Sequence, residues 1–240
     1  MNKLKEIIRY ECTTSFKAIW IFYAIQYAFI GLIMVIIGVS MGSFQEVGTN
    51  ALEVNSVIFA CVMGGMGFHE DFRMLIQNGF TRKYIFIATF SLFAFMAGIL
   101  ALVDTVVGNS LHYVLPGYSS MYGSIYGYGR FLTNWMWLFI FYLLMCSIFY
   151  TALLVINRLG KLRSLYLGVG MTGAALLVTA FFRFVLPSET AGRIGRIAIE
   201  AMGFSGSGAV NRVTPLLTLL LLAGIFGAVS YAMIRRTELT

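Results

Sequence analysis

Charge is scarce in this chain. Of its 240 residues 11% are charged and 59% apolar, and the mean hydropathy is +0.84. Soluble domains carry roughly 25% charged residues, so too little polar surface is available for a water-soluble fold, and the composition describes an integral membrane protein. Cysteine is scarce as well. Cys12, Cys61 and Cys146 are far apart, and two of them lie inside apolar runs, which excludes a disulfide framework and metal-ligand spacing. The nucleotide and catalytic signatures are missing too. Gly160-Lys161 is followed by Leu162 and has no glycine-rich loop to cradle phosphates. His69-Glu70 has no second histidine four residues on, so the zinc-protease pattern fails. No serine sits in a G-x-S-x-G elbow. Nothing in the residues provides for catalysis or for a cofactor, and the net charge of +7 is a matter of membrane topology and not of nucleic acid, because the basic residues cluster at segment ends.

What the chain has in abundance is long apolar runs. A spanning helix needs about 20 mostly apolar residues, and six runs qualify: 18–41, 53–68, 84–111, 133–156, 164–186 and 214–234. The expected fold class is therefore all-α integral membrane, one domain of six transmembrane helices. Residues 1–17 precede the first run. Leu4, Ile7, Ile8 and Glu11 share one side at spacings of three and four, which suits an interfacial helix or an ordinary basic flank. The run after them is too long for a signal-peptide core and lacks a cleavage site, so the N-terminus is expected to be retained. Tyr118, Tyr122 and Tyr126 repeat every four residues in a loop rich in Gly and Tyr, a pattern typical of an interfacial belt. Segment 188–213 carries Ile194, Ile197, Ala198 and Ala201 on one stripe and reads as an amphipathic outer helix, followed by a flexible Gly-Phe-Ser-Gly-Ser-Gly break.

Basic residues set the orientation. Counting from a cytosolic N-terminus, the inner segments hold Lys3, Lys5, Arg9, Lys17, Arg73, Arg82, Lys83, Arg158, Lys161, Arg163, Arg235 and Arg236, and the outer loops hold Arg130, Arg193, Arg196 and Arg212. Twelve against four places both termini, and the segment between the second and third spans, in the cytosol. That segment, 69–83, is a polar island with helical grammar. Glu70 and Asp71 stand where a helix start favours negative charge, Phe72, Leu75 and Ile76 make an apolar stripe, and Asn78-Gly79 is a stop signal. Thr81 is placed to cap the next helix, and Arg82 and Lys83 mark the bilayer boundary. The segment reads as a short capped helix, serving either as a structured loop on the headgroups or as a docking knob for a cytosolic partner.

Asp104 lies inside the third apolar run, with Asn109 just over a turn later. An acid at that depth must face protein or water. Two readings stand: a polar spot on a transport path, or a carboxylate hydrogen-bonded to neighbouring helices near the outer mouth.

The layout and the run Phe-Arg-Met-Leu-Ile-Gln-Asn-Gly-Phe-Thr-Arg-Lys-Tyr-Ile-Phe at 72–86 resemble the membrane subunits of bacterial type-2 ABC exporters, in which a similar FR-x-L-x-x-NG-x-(S/T)-R run is common. The architectural resemblance covers the whole chain; the sequence match covers 72–86. It implies a permease subunit that moves a hydrophobic or amphipathic substrate (a peptide, an antibiotic or a lipid-like molecule) across the plasma membrane. It implies a separate ATPase subunit that binds ATP and Mg, and a second permease subunit, the same or homologous. Glu70, Asp71, Arg73, Leu75, Gln77, Asn78, Gly79 and Arg82 become the coupling residues by position. The alternative from another class is an ATP-independent, proton-coupled carrier working through Asp104. A membrane enzyme or assembly factor ranks last, since no acid–base or metal constellation is present.

Overall fold

The computed structural model describes residues 2–41, 52–66, 75–76, 79–115, 118–184, 188–204 and 210–235. Among them all regular structure is helical, apart from one isolated antiparallel bridge between Phe204 and Val210. The helices are α1 (Asn2–Met41), α2 (Glu53–Met66), α3 (Arg82–Val114), α4 (Met121–Tyr126), α5 (Phe131–Leu159), α6 (Lys161–Phe184), α7 (Ser188–Ala201) and α8 (Val213–Arg235). Five of them, α1, α3, α5, α6 and α8, are long and apolar enough to cross a membrane. The described residues are thus helical throughout their regular structure, and their long apolar helices are compatible with a multi-pass membrane protein.

The N-terminal segment differs from expectation. The N-terminal 17 residues are not a separate helix: α1 runs unbroken for 40 residues. Nothing at position 17 breaks it, because no Gly or Pro interrupts residues 2–30. At 1.5 Å per residue α1 measures about 60 Å, twice the thickness of a hydrocarbon core. The second apolar run contains the 14-residue α2, about 21 Å long; residues 67 and 68 lie outside the described residues.

Helix α5 is the hub, packing against α2, α3 and α8, while α1 packs on α3. Lipid tails are as apolar as leucine, so apolar burial alone does not draw such helices together; close backbone approach and hydrogen bonds between helices do. Each contact of α5 has such a pin. Cys146 Sγ of α5 donates to the Ala60 carbonyl of α2 at 3.3 Å. Gly64 of α2 lies so close to α5 that an added Cβ would stand 2.7 Å from the Cys146 carbonyl oxygen. Thr151 of α5 pairs with Ser230 of α8 at 2.7 Å. Trp135 Nε1 of α5 donates to the Gly98 carbonyl of α3 at 3.3 Å. By contrast, none of the described side chains in the most apolar stretch of α6 is buried within the chain, and only Gly160, at φ +79°, separates α6 from α5.

Both ends of the bundle are tied. At one end, Arg82, the first residue of α3, donates from Nη1 to the carbonyl of Arg235, the last residue of α8, at 2.7 Å. At the other, the tyrosine loop folds inward. Tyr118, Tyr122 and Tyr126 are each no more than 4% exposed, so they are packed in protein and do not form the expected interfacial belt. Tyr122 and Tyr126 gather with Trp137, and Tyr126 stacks on Phe204 and donates to the Met202 carbonyl at 2.9 Å. Thr218 of α8 reaches the Ala201 carbonyl at 3.0 Å, so the end of α7 is held from two sides.

Candidate functional site

The segment before α3 closes as a helix terminus. Leu75 and Ile76 are helical, and Gly79 takes φ +78°. Two hydrogen bonds complete the turn: Phe80 N–H to the Leu75 carbonyl at 3.0 Å and Gly79 N–H to the Ile76 carbonyl at 2.9 Å. This 6→1 and 5→2 pair is the Schellman closure, which needs a left-handed residue where Gly79 stands. Leu75 is 4% exposed and belongs to the bundle core, with Ile76 and Phe80 packed against the same cluster. Thr81 occupies the N-cap position of α3 in extended conformation, but its side chain makes no capping bond; the α3 start is fixed instead by Arg82 on Arg235. Of the coupling residues named from sequence, the structure therefore brings Leu75, Gly79 and Arg82 together at one end of the bundle. Glu70, Asp71, Arg73, Gln77 and Asn78 lie outside the described residues.

Asp104 sits deep in the bundle, 4% exposed. Its Oδ1 accepts from the Tyr23 hydroxyl of α1 at 2.9 Å, and its Oδ2 from the Tyr142 hydroxyl of α5 at 2.5 Å, the short end of hydroxyl–carboxylate bonds. Tyr23 also reaches the Leu100 carbonyl at 3.2 Å. Ser56 of α2, fully buried, lies within electrostatic reach of Tyr23 and Asp104. One carboxyl thus gathers α1, α3 and α5, with α2 alongside. Asn109 is placed differently: its Nδ2 donates back to the Thr105 carbonyl at 2.9 Å, and its side chain lines a narrow crevice with Tyr122, Arg130 and Asn134. Asp104 and Asn109 do not face a common cavity.

Three partners escape sequence reasoning. By sequence alone Tyr23 suits the headgroup level, Tyr142 is one more member of an apolar run, and Glu53 is a span boundary. In the structure Glu53 is 2% exposed, within 3.5 Å of the Tyr118 hydroxyl, and its Oε1 would stand 3.2 Å from a Cβ at Gly108. Burial first, and the neighbouring Glu53 second, raise the Tyr118 phenol above its ordinary value, so it remains a donor to that carboxyl. The one available signal is the register of Glu53 and Ser56, three apart on one helix face.

No protein-family model, curated protein or solved structure matches the chain. What the site can do is therefore argued from its own geometry. Among the described residues, no group of three or more His, Cys, Asp or Glu gathers to hold a metal ion. The Asp104 cluster is a fastening of helices by hydroxyl-to-carboxyl bonds. Leu75, Ile76 and Phe80 root the turn at Gly79 in the core, next to the Arg82–Arg235 tie between the start of α3 and the finish of α8.

Proposed function

We propose that the chain is the permease subunit of an ATP-driven exporter of a hydrophobic or amphipathic substrate, powered by a separate ATPase subunit and paired with a second permease subunit. In this reading α2 counts as a short second span, both termini are cytosolic, and the membrane is the plasma membrane. The observation that carries it is the anchoring of Leu75, Gly79 and Arg82. A segment that must pass a push from a partner to the spans has to be stiff and rooted in them. A Schellman turn with its leucine in the core, followed at once by α3, meets both needs. The bias of basic residues toward the same end supports a cytosolic position.

The test is purification of the full chain from its native membrane in mild detergent. An ATP-hydrolysing subunit is expected to accompany it and to be lost from Asp71→Arg and Arg73→Glu variants that still fold. A chain that purifies alone and remains functional would remove the reading.

One observation favours the proton-coupled alternative: two buried carboxyls, Asp104 and Glu53, share the bundle interior. Against it, both Asp104 oxygens are engaged by tyrosines. Asp104→Asn separates the two, since a proton carrier loses transport entirely and a fastened exporter loses mainly stability.

A further inference from the structure

Helices α1 and α3 run side by side in the same direction, and two contacts fix their register. Tyr23 of α1 bonds the Leu100 carbonyl and the Asp104 carboxyl of α3. Nearer the N-terminus, Glu11 lies within electrostatic reach of Tyr150, whose ring packs edge-on against Phe90 and Phe93 of α3. Lys17 stands midway between these contacts and is therefore level with the middle of α3, which runs from Arg82 to Val114. Helix α8 supplies a second reference. Arg82, Phe86 and Phe90 of α3 meet Arg235, Tyr231 and Gly227 of α8 in turn, and the same steps carried onward put Leu221 level with Lys17.

Where α3 and α8 cross a bilayer, their middle lies about 15 Å from either headgroup layer, half the thickness of the hydrocarbon core. Leu221 and Lys17 are both exposed at this depth. Leu221 suits lipid tails. Lys17 does not: a charge there is costly and faces protein or water, and it is too deep to snorkel to the surface. Among the described residues no acid pairs with it. Lys17 also ends a polar stripe. Glu6, Arg9, Thr13 and Lys17 follow at spacings of three, four and four on the exposed side of α1, opposite the buried Ser15, Ile19 and Gln26. The stripe climbs from the Arg82 end of the bundle to its middle, and its two cations outnumber its one acid.

We propose that this face of α1 walls a water-filled vestibule that opens at the Arg82 end, reaches mid-bilayer at Lys17, and admits anionic groups in preference to cationic ones. The vestibule requires only that α3 and α8 cross the bilayer, whatever powers the chain, so its test and the test for an ATPase subunit fail separately.

The experiment places single cysteines at exposed positions of the full chain. Cys12 and Cys61 are changed to alanine, and Cys146, fully buried, is kept. Proteoliposomes then meet charged, water-soluble methanethiosulfonates on both faces. Lys17→Cys is expected to react about tenfold or more faster than Leu221→Cys, its match in depth, because the thiolate forms only in water. Ile36→Cys, which this register carries past the outer end of α3, is expected to react too; an α1 slid inward to centre its own apolar run would hide it in lipid. At Thr13→Cys the anionic reagent is expected to outpace the cationic one, each relative to its rate with a free thiol. Adding Lys17→Gln should shift that ratio about threefold to tenfold toward the cation. Equal rates at Lys17→Cys and Leu221→Cys, an unreactive Ile36→Cys, or a Thr13→Cys ratio untouched by Lys17→Gln would each overturn the proposal.

Discussion

Asp104 accepts two tyrosine hydroxyls from two other helices, and this makes it a structural joint. Hydrogen bonds between membrane helices are worth about 0.6 kcal/mol on average and up to about 1.7. Tyr142→Phe should therefore lower stability by about 1 kcal/mol in thermal unfolding of the detergent-solubilised chain. Combined with Asp104→Asn it should cost less than the two changes summed, because both remove the same bond. Gly79 is a second sensitive position. At φ +78° an alanine carries roughly 1–2 kcal/mol of strain. Gly79→Ala should leave the bundle folded but loosen the turn, read as faster amide hydrogen exchange at Phe80. Gly79 is legible in the sequence because a left-handed stop has a local signature, the Asn-Gly pair. The partners of Asp104 are not, since Tyr23 and Tyr142 lie 81 and 38 residues away and only the packing of helices selects them.

At the scale of elements, Gly64 and Gly65 are neighbours in sequence with opposite demands. A Cβ at Gly64 would meet the Cys146 backbone at 2.7 Å, whereas one at Gly65 meets nothing within 4 Å. Gly64→Ala should cost about 2 kcal/mol of overpacking strain and loosen the α2–α5 contact. Gly65→Ala should be neutral in the same unfolding assay. The sequence marks both glycines as crowding the end of the second span and does not say which one touches α5; that depends on the rotation of a helix about its axis. Hydropathy does reveal the long spans, because twenty apolar residues in a row have few other uses. It sets a boundary at residue 17 where α1 continues, since polarity changes there while backbone propensity does not. The tyrosine loop departs from its expected belt for a related reason. Tyr suits both a headgroup layer and a protein interior, and its contacts with Trp137 and Phe204 come from distant parts of the chain.

For the whole molecule, the bond from Arg82 to the Arg235 carbonyl puts the start of α3 and the finish of α8 at one end. Leu75 is part of the core beside them, with Ile76 and Phe80 packed against the same cluster. Arg82→Ala should weaken that tie and increase the protease sensitivity of the C-terminus, measured by limited digestion in detergent. The proposed function depends most on where this segment lies and what it touches. The decisive measurement places one cysteine at position 73 in a chain whose Cys12, Cys61 and Cys146 are alanine, then treats intact cells with a membrane-impermeant maleimide and, separately, with a cross-linker. A cytosolic coupling segment predicts no labelling from outside and a cross-link to a nucleotide-hydrolysing subunit. Labelling from outside, or a cross-linked product containing no such subunit, would contradict it.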